Sequence, residues 1–239
     1  MGDNIHVTIE HQDCQGHWWT VLSKAVYWTD WWGTHVRGLG PGTHLYRHPD
    51  FLQPTATSRI WERDYDLFAA LSNLRGENRL APLLGLPQGQ SLGDAYAAHG
   101  GWPADASHAV CTYYVGSDHH THGACSFADL DGWRAVLSRR TKRVSDTQRD
   151  QRHSVLRWAA NLDACLPLAF GDGARPAVLD RPFMLLDEGE DDEAVVDHFA
   201  PVGLPSAHAY AAYLAERKTI TDWRAVPRDR LRALFCYDN

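Results

Sequence analysis

The densest concentration of potential site chemistry in this chain is the run Ser117-Asp118-His119-His120-Thr121-His122. Asp118, His120 and His122 alternate, so an extended backbone would place their side chains on one side. One hard oxygen and two imidazoles form a reasonable start for a divalent ion such as zinc, manganese or iron. His108, Cys111 or the pair Asp197-His198 would have to complete such a site. The structural alternative is that Asp118 and His120 tie the loop to the helix that follows it.

A second constellation is Arg63-Asp64-Tyr65-Asp66. Two carboxylates near the positive end of a helix are favourable in themselves. In a functional reading, Arg63 would grip a phosphate or carboxylate with two parallel hydrogen bonds, while Tyr65 stacks or donates. The third is the helix start at Ser126, whose free backbone N–H groups would attract an anion. With His120 and Thr121 just upstream, and Arg63 and Arg75 elsewhere in the fold, this predicts a pocket for a phosphorylated or nucleotide-like ligand. The ligand-binding candidates are therefore Arg63, Tyr65, Asp66, Arg75, Asp118, His120 and Thr121. No P-loop, dinucleotide fingerprint or Gly-x-Ser-x-Gly elbow occurs. No cofactor is implied beyond the divalent metal that the loop would admit.

Several elements must position these residues. Ile5, Val7 and Ile9 alternate with His6, Thr8 and Glu10, the period of a half-buried strand. Asp13-Cys14-Gln15-Gly16 then supplies a turn, and Trp18 to Val26 returns as the second strand of a hairpin. Leu67, Phe68, Leu71 and Leu74 take helical spacing, with Asp64 or Asp66 to start the helix and Gly76 to end it. Val110 to Val115 reads as a strand. Ser126-Phe127-Ala128-Asp129 has the form of a capping box, with Leu130, Trp133 and Leu137 continuing the helix. Further helices are expected from Ser145 to Leu166 and from Ser206 to Arg217, and a strand from Leu231 to the chain end. Strands at both ends with helices between them predict an α+β fold: one mixed or antiparallel sheet, including both terminal strands, covered by several helices. The expected organisation is one domain over residues 1–239, with long ordered loops at about 29–57 and 77–107.

Composition narrows the function classes. The 239 residues carry a net charge of -7, which argues against general nucleic-acid binding. No apolar run is long enough to span a bilayer, and without a charged-then-apolar start no signal peptide is expected. Five widely spaced cysteines without a CxxC suit reduced thiols in a cytoplasm, bacterial or that of an infected host cell, and Cys165 and Cys236 read as core residues. Ten tryptophans and fourteen histidines are unusual, and many lie near the N-terminus. Tryptophan edges on a sheet explain part of this, and a recognition surface is the alternative.

Four segments, in order, resemble a family of uncharacterised proteins encoded by phages and bacteria. They are Glu62-Arg63-Asp64-Tyr65-Asp66-Leu67-Phe68 with Leu71-Ser72-Asn73-Leu74-Arg75; Gly85-Leu86-Pro87; Asp118-His119-His120-Thr121 running into Ser126; and Leu231 to Asn239. The stretch from about 140 to 225 diverges from that pattern. Thr121 stands where the pattern has Ser, and His122 has no counterpart, which favours His120 and Thr121 over a metal triad. The loop is also superficially similar to the first metal motif of the polymerase-and-histidinol-phosphatase and amidohydrolase superfamilies, but too little chain follows it for their barrels. The resemblance implies a phage-type context and no mechanism; the leading expectation is a cytoplasmic accessory protein that acts by binding a host protein or a small anionic ligand, with countering host defence among the roles of that class. The competing expectation is a metal-dependent hydrolase built on Asp118, His120 and His122.

Overall fold

The computed structural model describes residues 4–23, 35–36, 63–93, 103–107, 120–139, 144–170, 185–186 and 207–238. The fold is α+β. Strands β1 (Asn4–Gln12), β2 (Trp18–Ser23), β3 (His120–Ser126) and β4 (Leu231–Asp238) form an antiparallel sheet in the order β2-β1-β4-β3. The two terminal strands are thus central neighbours, paired from Asn4 opposite Asp238 to His11 opposite Leu231. A separate two-residue ladder joins His35–Val36 to Leu185–Leu186. The expected strand at Val110 to Val115 lies outside the described residues, as do Asp118, His108, Cys111 and Asp197-His198.

Among the described residues four α-helices accompany the sheet: α1 (Tyr65–Ser72), α2 (Phe127–Leu137), α3 (Asp146–Phe170) and α4 (Ala207–Lys218). No described helix is long and apolar enough to cross a membrane. Ile5, Val7 and Ile9 share a face with Ala233, Phe235 and Tyr237, all at most 1% exposed. The helices cover this face. Phe68 of α1 meets Tyr237, Trp158 of α3 meets Phe235, and Tyr213 of α4 stacks on Trp19.

Local chemistry explains the boundaries. Asp64 caps α1 by accepting from Leu67 N–H at 3.0 Å. The helix ends at Asn73, before the expected Gly76. Asn73 adopts a left-handed φ of 55°, which asparagine tolerates better than most residues, and its N–H returns to Ala69 O. The capping box at α2 forms as its sequence indicates, Ser126 and Asp129 each accepting the other's backbone N–H at 3.0 Å. Helix α3 runs through Pro167 to Phe170, beyond the expected end at Leu166. In the last turn a proline removes only one hydrogen bond, and the buried Phe170 ring packs edge-on against His11. Cys165 and Cys236 are buried, and Trp18 and Trp19 occupy the edge strand β2.

One expectation needs correction. β1 is not half-buried, because His6, Thr8 and Glu10 are covered as well. Glu10 accepts from Arg232 Nε and from Ser107 N–H, both at 2.7 Å. Arg232 also donates to Asp105, and its guanidinium lies 3.8 Å from the centre of the Trp18 ring. Burial pushes the Glu10 carboxyl up, while the guanidinium and the Ser107 N–H pull it back. Residues 103–107 are thereby clasped onto the second face of the sheet by a polar network whose partners lie roughly 100 and 220 positions apart in sequence.

Candidate ligand-binding site

The sequence-derived candidates do not converge on one cavity among the described residues. Arg63 is exposed ahead of α1 and Arg75 is exposed beyond its other end, at a left-handed φ of 61°. Eight helical residues span about 12 Å between those ends. Asp64 is the N-cap and also accepts from Arg157 of α3 at 2.6 Å. Asp66 is pushed up by burial and by the neighbouring Asp64 and Asp150, so the acidic side of α1 faces α3. Tyr65 is exposed, the one large hydrophobic residue that is so among the described residues, with its ring edge-on to Phe68.

His120 and Thr121 do form a unit, His120 Nδ1 lying 2.9 Å from Thr121 Oγ1. The expected alternation of His120 with His122 fails. His120 pairs with Tyr237 and Gly123 pairs with Phe235, so two residues of β3 oppose one of β4. This is a β-bulge, and Thr121 sits in it at a φ of +52°. A β-branched residue seldom adopts that conformation. Because the bulge breaks the two-residue period, His120 shares its face with Gly123 and not with His122. His122 is pushed down by burial and by the nearby His120. Among the described residues, no group of three His, Cys, Asp or Glu side chains is arranged to hold a metal. The start of α2 offers no open anion position either, since the Asp129 carboxylate already occupies it.

A cavity of about 270 Å³ lies elsewhere, where the end of β1 meets the segment after α4. His11, the last inward-facing residue of β1, lines it although only 1% exposed. Its ring packs against Phe170 and Tyr213, and its Nδ1 is buried without a hydrogen-bond partner. Burial, reinforced by Arg230, pushes the His11 imidazole down to about 4, so it is neutral at physiological pH. A buried polar atom left unpaired costs about 1–3 kcal/mol, and most such atoms in native proteins find a partner.

The charged wall of the cavity is fixed. Arg230 donates Nε to Gln12 O at 2.7 Å and Nη2 to Glu216 Oε1 at 2.5 Å. Glu216 Oε2 accepts from Cys14 N–H at 2.8 Å. Burial alone would raise the Glu216 carboxyl, but the Cys14 N–H and Arg230 outweigh it and hold the group below the usual range. Ile220, Val226 and Pro227 provide the apolar lining, and Asp222 stands exposed at the rim, held by Arg224 N–H. The lining therefore carries two carboxylates against one guanidinium, with the histidine neutral.

None of these lining residues was a sequence candidate. The one signal available was phase: His11 continues the apolar series Ile5, Val7, Ile9. A polar side chain in the core-facing phase either finds a partner or borders a cavity. Its companions Glu216 and Arg230 lie far along the chain, beyond any motif. Compared with protein-family models, with curated proteins and with solved structures, the chain matches none.

Proposed function

We propose that this protein works by binding a small ligand in the cavity beside His11. The observation that carries the reading is a cavity of about 270 Å³ whose lining combines apolar residues with His11 and the Arg230–Glu216 pair. Binding sites combine apolar walls with a few placed polar groups. Here Ile220, Val226 and Pro227 are the walls, and His11 with the Arg230–Glu216 pair supplies the polar groups. At about 270 Å³ the cavity suits a molecule of few heavy atoms. A histidine pushed down to about 4 is a weak general base at neutral pH, which favours recognition over acid–base catalysis.

A thermal-shift panel tests this, with small amines, alcohols, amino acids, sugars, inorganic phosphate and nucleotides run on wild type and on His11→Asn. A ligand present at about 100 times its dissociation constant stabilises the folded state by about 2.7 kcal/mol. The expected result is a rise in Tm with one class of small molecule, reduced in the variant. A panel that leaves wild-type Tm unchanged refutes the proposal. Stabilisation by nucleotides that is lost in Arg63→Ala but kept in His11→Asn would instead move the site to α1.

A further inference from the structure

His11 stands where the sheet meets two helices. Its ring packs against Phe170 at the end of α3 and Tyr213 of α4, with ring centres 5.4 and 5.9 Å away. Tyr213 in turn stacks on Trp19 of β2, the rings nearly parallel and 4.7 Å apart. Among the described side chains of α4, Tyr213 is the buried one. A second fastening is charged: Glu216 of α4 accepts from Cys14 N–H in the β1–β2 turn and from Arg230 ahead of β4.

The aromatic fastening suits a neutral histidine and not a charged one. Nδ1 is closed off from solvent and has no hydrogen-bond partner. An imidazolium carries a donor on both ring nitrogens, so protonation in place would leave a charged N–H unpaired in the interior. The charged groups around the ring do not supply the missing partner. Arg230 opposes a positive ring, Glu216 of α4 and Asp13 of the turn favour it, and Arg217 of α4 opposes it. Both carboxylates are already engaged, Glu216 as above and Asp13 by Gln15 N–H, His17 N–H and Trp19 Nε1. The end of α3 contributes the uncharged ring of Phe170. A protonated His11 must therefore give up its ring contacts to reach water, and the cavity that it lines leaves space beside it.

We infer that His11 is an acid-sensitive latch for α4: protonation breaks its contacts with Tyr213 and Phe170 and releases α4 from the sheet, while the paired strands β1 and β4 stay closed. This does not rest on the ligand reading, although the two meet in one place. Glu216 and Thr219 line the cavity, so release of α4 also opens it.

The size of the effect follows from linkage. The closed ring takes up its proton only near pH 4, against about 6.5 for an exposed histidine. The open form binds the proton first, so opening becomes more favourable as pH falls between those values. From pH 7.5 to 5 the open population should rise roughly thirtyfold. Asp13 and Glu216, held below the ordinary carboxylate range, keep their charge at pH 5, so the charged fastening does not titrate in this window.

Amide hydrogen exchange read by mass spectrometry at pH 7.5 and 5 tests the latch, each rate divided by the chemical exchange rate at that pH. In wild type, protection over α4 should fall roughly thirtyfold at pH 5, and protection of the paired amides of β1 and β4 far less. In His11→Gln, and in His11→Phe, which keeps an aromatic ring, the fall over α4 should disappear. An unchanged α4 in wild type overturns the latch. So does the same fall in either folded variant, which would assign it to other groups. Equal loss in α4 and in the central strands marks global unfolding and overturns it as well. If neither variant folds, the wild-type contrast between α4 and the β1–β4 pair decides alone.

Discussion

Acidification tests the state of His11 most sharply. The histidine is almost fully buried and pushed down to about 4 in the folded protein, against about 6.5 in an unfolded chain. Between those values the unfolded state holds the proton and the folded state does not, so stability rises with pH across that window. The contribution is fully present above about pH 6.5. It is lost as pH falls toward 4, and lowering the pH further adds nothing from this group. A difference of about 2.5 units corresponds to roughly 3 kcal/mol, a large share of a typical folding free energy of about 5–15 kcal/mol. Asp13 and Glu216 are held below the ordinary carboxylate range and lose their own contributions at the acid end, so the comparison must isolate the histidine. Urea unfolding of wild type and His11→Gln at several pH values does so, because the other groups cancel in the difference. The expected difference falls by up to about 1.4 kcal/mol per pH unit below 6.5. A difference that stays flat from pH 7.5 to 4.5 would show that His11 titrates normally and refute the buried neutral imidazole.

Three further outcomes follow from packing and charge. Gly123→Ala would place a methyl carbon 2.5 Å from the Phe235 ring, and should cost about 1–3 kcal/mol in denaturant unfolding; an unchanged midpoint contradicts the register of the β3 bulge. Arg232→Leu strands the Glu10 carboxylate in the interior and should cost about 3–5 kcal/mol, most of it recovered by adding Glu10→Leu. If the double variant is no better than the single one, the network matters for something other than its own charge balance. Asp129→Ala removes half of the capping box of α2 and should lower stability by about 1 kcal/mol, and a neutral result in thermal unfolding would contradict the cap geometry.

The elements set by local chemistry were legible in the sequence. The β1–β2 hairpin follows from alternation plus a turn that Asp13 closes by accepting from Gln15 and His17 N–H. Helices α1 and α2 follow from apolar spacing and from caps that need only neighbouring residues. What the sequence hid depends on contacts across the chain. Glu10 read as solvent-facing because its partner Arg232 is 222 positions away. The alternation of Asp118, His120 and His122 assumed regular extended backbone, and one residue at positive φ removes that assumption. The site itself was the least legible part. Histidine clustering marks the run Ser117–His122 that leads into β3. The cavity is lined by one histidine among the described residues, and the burial of its unbonded Nδ1 is a property that exists only once the fold surrounds it.

The central claim is that His11 is a neutral, ligand-facing imidazole, and nuclear magnetic resonance of the histidine ring nitrogens addresses it directly. In protein labelled with nitrogen-15 histidine, the His11 ring should show the neutral pattern at pH 7. Its signals should shift saturably on addition of a small molecule that raises the Tm of wild type, while those of His120 stay in place. A protonated His11 ring at pH 7, or His11 signals that no small molecule moves, would contradict the account.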